Sequence, residues 1–141
     1  MGIVLSFRDL AVYKLARASA KETFEISKRF PAEEKYSLTD QIRRASRSVR
    51  ANIAEAWRKR RYPAAFVSKL SDADGEAGET RSWLDSALDC GYITKTEYSD
   101  LDDKSDHICA QLFNRMEHPE QWCDGPTPPG NSRRPTSPPT A

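Results

Sequence analysis

The chain has 141 residues, enough for one small domain, and 38% of them are hydrophobic while 30% are charged. No run approaches the roughly 20 apolar residues that a membrane helix requires, and Met1–Ser6 is too short for the apolar region of a signal peptide. Three cysteines without a CxxC spacing exclude a disulfide scaffold and predict a reduced, cytoplasmic protein.

The net charge is only +1, but it is unevenly distributed along the chain. Residues 1–62 hold 15 Lys/Arg against 7 Asp/Glu, whereas residues 63–118 hold 5 against 12. This polarity predicts an electrostatic partner for the first half of the chain. That partner is either an external anion or the acidic half itself, in the same chain or in a neighbouring subunit.

The first predicted helix begins at a Ser6–Asp9 box, in which side chains satisfy free backbone amides. Its apolar residues form one main face and a narrower stripe about 120° away. The main face contains Leu10, Tyr13, Ala16, Ala20 and Phe24, and the stripe contains Val12, Leu15 and Ile26. Two such faces predict either a deep position in the core or a subunit contact. Pro31 ends the helix near Phe30, because the residue before a proline disfavours the helical conformation.

Residues 38–61 have the most regular pattern in the chain and predict a second helix that begins at a Ser37–Asp40 box. The apolar face of this helix consists of Leu38, Ile42, Ala45, Val49, Ile53 and Ala56. A basic band about five turns long lies roughly opposite. The stretch has eight Lys/Arg against two acidic residues. One face is therefore predicted to be buried, and the other to carry positive charge.

Two further helices are predicted, one from Ala64 and one from a Thr94–Glu97 box. The third helix has a weak apolar face, because Gly75 and Gly78 each cost about 1 kcal/mol relative to Ala in a helix interior. Its face comprises Phe66, Leu70, Ala73, Ala77, Leu84 and Leu88, and the fourth helix presents Tyr98, Leu101, Ile108, Leu112 and Met116. Gly91 can adopt the left-handed backbone conformation that ends the third helix before the fourth begins.

Four amphipathic helices with short connections predict an all-α fold, an antiparallel up-down-up-down four-helix bundle over residues 1–118. The composition changes sharply at Pro119, since seven of the nine prolines lie in residues 119–141. This segment has few apolar residues to bury, so we expect a disordered Pro-rich tail. Trp122 is its one candidate for docking, and deletion of the tail is expected to leave thermal stability nearly unchanged.

Four sequence blocks resemble a known bacterial family. They are FRDLAVY (7–13), FPAEEKYSLTDQIRRA (30–45), SVRANIAEA (48–56) and LDCGYI (88–93). Their order and spacing are similar to those of the four-helix-bundle proteins first noticed as open reading frames within intervening sequences of 23S ribosomal RNA. The resemblance covers about residues 5–118, and it implies a four-helix bundle that often assembles as a pentameric ring.

The same resemblance implies partners. The family is distantly related to the accessory proteins of diversity-generating retroelements, which bind nucleic acid and a reverse transcriptase. A homo-oligomer is therefore implied, with RNA or DNA and a reverse-transcriptase-like protein as partners. Three residues depart from the family pattern: Asp72 occupies an often apolar position of the third helix, Arg50 replaces a usual proline, and Ala56 replaces a usual glycine. The last two changes favour a longer regular helix, and Arg50 adds a charge to the basic band.

The basic band of the second helix is the candidate nucleic-acid site. The paired N–H groups of an arginine guanidinium match two phosphate oxygens, and a row of arginines can follow a phosphate backbone. The candidate contacts are Arg43, Arg47, Arg50, Arg58, Lys59 and Arg61. Only Trp57 and Tyr62 accompany the band, so base stacking is weakly supported and non-specific binding is expected. The alternatives are a solvated helix face, or ion pairs across a subunit interface with Asp100, Asp102, Asp103 and Asp106.

Other polar residues of the chain do not predict catalysis. Asn52 and Glu55 lie near the buried edge of the second helix, where we expect them to make structural hydrogen bonds. Di-metal bundles use Glu-x-x-His pairs, but neither His107 nor His118 has a glutamate three positions earlier. No phosphate-binding glycine loop and no recognisable nucleophile–base motif is present. We therefore expect no catalytic residue, no metal, no cofactor and no enzyme activity.

Two hypotheses about function follow from these patterns. In the first, a small homo-oligomeric bundle binds RNA or DNA non-specifically through the arginine-rich face of its second helix. In the second, a non-catalytic assembly or adaptor module pairs its basic face with acidic protein surfaces. They are distinguished by whether the basic face stays exposed in the assembled protein.

Overall fold

The computed structural model describes residues 4–123, and every regular element in that range is helical. The long helices are α1 (Ala11–Ser27), α2 (Leu38–Arg58), α3 (Pro63–Asp89) and α4 (Lys95–Glu117), followed by the single turn α5 (Glu120–Cys123). Helix α1 packs against α2 and α4, and α3 packs against the same two helices. The predicted four-helix bundle is confirmed. None of the helices in the described range is long and apolar enough to span a membrane.

The core has two apolar ends and a polar middle. One end is built around Ile53, Phe66 and Leu70, and the other around Ile42 and Leu84. Each long helix contributes one buried hydroxyl to the layer between them, namely Ser19, Ser46, Thr80 and Ser105. Every residue of the predicted apolar face of α2 is buried. The bundle therefore positions α2 as the helical periodicity predicted.

Helix α1 is rotated relative to the predicted face. Val12, which we placed in the minor stripe, is 2% exposed, whereas Tyr13 and Phe24 of the predicted main face are only half-buried. The buried face also includes the small polar residues Ser19 and Thr23. Hydropathy did not favour these two residues, and the rotation leaves Phe24 at the edge of α1, beside α2.

Three predicted helix boundaries and one predicted cap are wrong, since α1 also ends at Ser27 rather than near Phe30. The Ser6–Asp9 box is present, but it caps a 3-10 turn, Phe7–Asp9, and an extended Leu10 separates that turn from α1. The Ser37 hydroxyl does not cap α2 and instead donates to the Glu34 carboxylate at 2.6 Å. Helix α2 ends at Arg58 rather than Arg61, because residues 59–62 form a turn before α3.

The connection between α3 and α4 follows the prediction. Gly91 has a φ of +75°, the left-handed conformation that ends a helix most readily at glycine. The Thr94 hydroxyl accepts a hydrogen bond from the Glu97 amide at 3.1 Å, and the Glu97 carboxylate accepts one from the Thr94 amide at 2.9 Å. This capping box fixes the start of α4.

The ordered chain extends beyond the predicted boundary at residue 118. Residues 119–123 are helical in part, and the Trp122 ring lies 5.8 Å from Trp57 and 5.4 Å from Phe66, measured between ring centroids. The prediction of disorder from Pro119 onward is therefore wrong for this short segment, because the Trp122 ring packs against the rings of Trp57 and Phe66. The remainder of the predicted tail, residues 124–141, lies outside the described residues.

We predict that the docked segment contributes measurably to stability. A chain ending at His118, or the Trp122→Ala variant, is expected to lower the free energy of unfolding by about 1–3 kcal/mol, because a half-buried indole loses its aromatic contacts. A chain ending at Cys123, which keeps Trp122, provides the reference for both changes. Urea unfolding, monitored by circular dichroism at one protein concentration, gives the free energy of unfolding of each chain. Equal stability of the two truncated chains would contradict the docking.

Candidate nucleic-acid interface

Helix α2 separates two surface depressions of opposite charge. The first, the acidic cleft, lies between α2 and α3, measures about 490 Å³, and is lined by Asn52, Ser71, Asp72, Gly75, Glu76 and Glu79. The second, the basic groove, lies between α1 and α2 and consists of two cavities of about 250 and 330 Å³. Its lining residues are Phe7, Arg8, Tyr13, Arg17, Ala20, Lys21, Phe24, Arg47, Arg50, Ala51 and Ala54. Arg17 and Arg50 belong to both cavities, and none of these lining residues is acidic.

The cations beside the acidic cleft are paired within the chain. Arg44 forms ion pairs with Glu76 at 3.4 Å and with Glu79. Lys69 on α3 lies 3.1 Å from Glu55 and 3.5 Å from Asp72. Glu55 is the largest contributor to the raised pKa of Lys69. This flank of α2 is therefore a network of opposite charges that joins α2 to α3.

The acidic residues of α4 are also engaged by cations of the acidic half. Arg81 donates to both carboxylate oxygens of Asp102, at 2.8 and 3.1 Å, and reaches Asp106 at 3.4 Å. The hydrogen bonds with Asp102 raise the pKa of Arg81. Lys104 lies 2.9 Å from Asp100. Three of the four aspartates that we considered as partners for the basic band are thus paired with α3 and α4 cations.

Arg43 is held in place by the edge of α1. Its Nε atom donates to the Ser27 hydroxyl at 2.7 Å, and that hydroxyl donates to the Phe24 carbonyl at 2.7 Å. The Arg43 guanidinium carbon also lies 4.6 Å from the centre of the Phe24 ring. A cation over an aromatic face is stabilised by the quadrupole of the ring. Arg43 therefore joins α1 to α2, and part of its donor capacity is already used.

Arg47 and Arg50 line the basic groove opposite two cations of α1, Arg17 and Lys21. Arg47 lies 5.4 Å above the Phe24 ring, and Arg50 is half-buried. Within residues 4–123, none of these four cations forms an ion pair. The groove is therefore a surface of positive charge whose neutralising groups do not come from the described chain.

The last three predicted contacts lie at a separate corner of the bundle. Arg58 ends α2, while Lys59 and Arg61 belong to the turn before α3. Between them, Arg60 stacks 3.5 Å from the centre of the Trp57 ring, and burial lowers its pKa. Trp57 is only 8% exposed and is not available for base stacking. The predicted single band is thus divided into a groove and a corner, and Arg50 of the groove lies about 12 Å along α2 from Arg58 of the corner.

Asn52 and Glu55 lie on the flank of α2 that faces α3. The Asn52 amide donates to the Ser48 carbonyl one turn earlier, at 2.9 Å. Glu55 is exposed and pairs with Lys69. Both contacts are within the chain, on the flank away from the basic groove.

Sequence reasoning missed the contribution of α1 to the groove. Arg17, Lys21 and Phe24 recur at spacings of four and three residues, which places them along one edge of a helix. That pattern was available in the sequence, but Phe24 was assigned to the core face, and the two cations were not considered as part of the site. The rotation of α1 described above is what brings them beside α2.

No group of three or more His, Cys, Asp or Glu side chains in residues 4–123 is arranged to hold a metal ion. Cys90, Cys109 and Cys123 form no disulfide within residues 4–123, and burial raises the pKa of Cys109 to about 11. A thiol with a raised pKa is a weak nucleophile at neutral pH. The basic groove is therefore the chemically distinctive surface of the described chain.

The fold and the groove define a small helical-bundle protein with one strongly basic face. The family model of the 23S rRNA-intervening sequence protein matches residues 8–114. The chain therefore belongs to that family, and the resemblance found in the four sequence blocks is confirmed.

A solved structure supports the same assignment. It is a protein of unknown function from the S23 ribosomal protein family, from Bacteroides thetaiotaomicron, and it is 30% identical to this chain with a TM-score of 0.69. The match covers 76% of this chain and 99% of that one. No match was found among curated proteins.

We predict that the groove arginines contribute little to folding stability. Arg47→Gln and Arg50→Gln should each change the free energy of unfolding by less than about 0.5 kcal/mol, because neither residue forms an ion pair within residues 4–123. Arg81→Gln should lower it by about 1 kcal/mol, because Asp102 loses two charged hydrogen bonds at a partly exposed site. Urea unfolding at one protein concentration provides the comparison. If Arg47→Gln or Arg50→Gln costs as much as Arg81→Gln, the groove arginines are structural.

Proposed function

We propose that this protein binds RNA or DNA non-specifically through the basic groove and the adjoining corner of α2. The observation that carries the proposal is the contrast in charge pairing within residues 4–123. Arg44, Lys69, Arg81 and Lys104 form ion pairs with nearby acidic residues, whereas the cations of the basic groove form none. Unpaired cations concentrated on one face attract a polyanion, because each phosphate contact releases a condensed counterion.

The chemistry of the groove suits phosphate rather than base edges. Arginine presents paired donors that match phosphate oxygens. Specific readout of DNA commonly inserts a helix or strand into a groove and presents side chains to base edges. Here the cations line a depression between two helices. This arrangement favours contact with the phosphate backbone of a nucleic acid that enters the depression. Binding that is largely independent of sequence follows from this arrangement.

A second candidate function is assembly, and the acidic cleft favours it. The cleft and the basic groove lie on different flanks of α2, so the groove of one subunit can meet the cleft of the next. Contacts of this head-to-tail kind close into rings when the rotation allows. Gly75 and Gly78 add to this possibility, because they are exposed in the interior of α3 and nothing described lies within 4 Å of where a Cβ would be. A homo-oligomer, including a pentameric ring, is compatible with this geometry.

The first proposal is tested by charge reversal with a matched control. The R47E/R50E double variant should weaken binding to a labelled RNA or DNA oligonucleotide at least tenfold at low salt, because two attractive contacts become repulsive. The K35E/K95E variant makes the same change in net charge at two exposed lysines outside the groove. It should bind within about twofold of the parent chain. Fluorescence anisotropy measures the affinity, and circular dichroism verifies that both variants keep their helix content.

Two outcomes would contradict the proposal. If R47E/R50E binds as well as the parent chain, the groove is not the site. If the parent chain does not bind at low salt, and its oligomers dissociate at high salt in sedimentation experiments, the cations act in assembly instead.

A further inference from the structure

The basic groove differs from a flat basic patch in having an apolar floor. Ala20, Ala51 and Ala54 line the groove together with its cations, and Phe24 and Tyr13 add half-buried rings. A patch that recognises phosphate alone has no need of apolar surface. The floor indicates a ligand that is anionic at its edges and apolar between them.

The width of the groove restricts which nucleic acid can reach that floor. Packed helices have axes about 8–10 Å apart, so the depression between α1 and α2 is too narrow to admit a whole duplex, whose major groove alone is roughly 12 Å wide. A duplex can touch the cations at the rim, but its bases are stacked inside and cannot reach the alanines. A single strand exposes its bases and can bury them against the floor.

The length of the groove is also compatible with a short single-stranded segment. Along α2 it extends from Arg47 to Ala54, which is about 10 Å at 1.5 Å per residue. Stacked nucleotides repeat every 3.4 Å along a strand, so about three nucleotides fit. Arg17 and Lys21 on one side and Arg47 and Arg50 on the other then flank the phosphates of this segment.

We infer that the basic groove is a site for single-stranded nucleic acid, with phosphates held by cations of both α1 and α2 and bases resting on the apolar floor. The inference rests on the proposed function, and it adds both the class of ligand and the participation of α1. Phe24 helps to position the cations of α2, because Arg43 and Arg47 both lie over its ring.

The test compares two ligands and two variants of the full chain. A labelled 20-nucleotide oligothymidylate or oligouridylate is titrated against a hairpin duplex with the same number of phosphates, at the same salt concentration. The parent chain should bind the single strands at least fivefold more tightly than the duplex. R17E/K21E should weaken single-strand binding at least tenfold, although neither residue is on α2, whereas K35E/K95E should not. Thermal unfolding verifies that each variant is folded.

The outcomes separate this inference from the proposed function. Equal or tighter binding of the duplex, with R47E/R50E still defective, would overturn the single-strand assignment and leave nucleic-acid binding in place. Unchanged binding by R17E/K21E would remove α1 from the site. Absence of binding to every ligand would overturn both proposals.

A different observation concerns the polar layer in the bundle core. A cavity of about 10 Å³ lies among the four buried hydroxyls, which is close to the smallest space that holds one water molecule. The Ser46 hydroxyl donates to the Arg43 carbonyl at 3.2 Å, and the Thr80 hydroxyl donates to the Glu76 carbonyl at 2.9 Å. Both oxygens keep free lone pairs, and the hydroxyls of Ser19 and Ser105 line the same cavity.

The geometry points to one internal water molecule at this site. It would donate to the Ser46 and Thr80 oxygens and accept from the Ser19 and Ser105 hydroxyls, so that all four polar partners are satisfied. Four partners lie within the usual range of two to four for a buried water.

Oxygen-17 magnetic relaxation dispersion tests this site without interference from hydroxyl protons. The parent chain should contain at least one long-lived water molecule, and Ser105→Val, which fills the cavity, should contain one fewer. Ser19→Val provides a second variant if the first does not fold. An unchanged number of long-lived waters in the folded variants would overturn the assignment.

Discussion

The pairing of the acidic residues of α3 and α4 with nearby cations is the constraint on which the surface of this bundle depends. Arg81 forms an ion pair with Asp102, and Lys104 forms one with Asp100. Arg44 of α2 pairs with Glu76 and Glu79 of α3. These pairs lie on the α3 and α4 side of the molecule. The excess positive charge of residues 1–62 therefore remains on the other side, where α1 and α2 meet. The near-zero net charge of the chain conceals this separation.

The core determines where that charge is placed. Helix α2 buries one complete apolar face, so the remaining surface of the helix is divided between a flank towards α1 and a flank towards α3. The α3 flank supplies acidic partners and becomes a network of ion pairs. The α1 flank supplies further cations, small residues and aromatic rings. A single helix thus presents two chemically different surfaces because its neighbours differ.

Much of the fold follows from local patterns in the sequence. The apolar face of α2, the Thr94–Glu97 cap and the left-handed Gly91 are each set by interactions within a few residues, and all three are confirmed. Helix caps were harder to predict: α2 begins at Leu38 as expected, but the Ser37 hydroxyl donates to Glu34 instead of capping the helix. A local motif does not reveal which of two nearby partners a side chain will take.

The candidate site was only partly predictable, because it depends on tertiary contacts. The phase of α1 is set by packing small residues such as Ser19 against the other helices, which hydropathy does not favour. That phase moves Phe24 from the expected core to the edge of the groove. Likewise, Trp122 lies beyond the predicted domain boundary, yet it packs against residues of α2 and α3 that are distant in sequence. Arg47 and Arg50 were identified from α2 alone, whereas Arg17 and Lys21 required the structure.

The most direct test of the account is the dependence of nucleic-acid affinity on salt concentration. If the groove cations neutralise phosphates, log K should fall linearly with log salt, with a slope of roughly −0.7 for each phosphate contact to a single strand. The R47E/R50E variant should then show a slope smaller in magnitude by roughly 1.4, the loss of two contacts. A slope near zero for the parent chain, or the same slope in the variant, would contradict the assignment of the groove as a phosphate-binding surface.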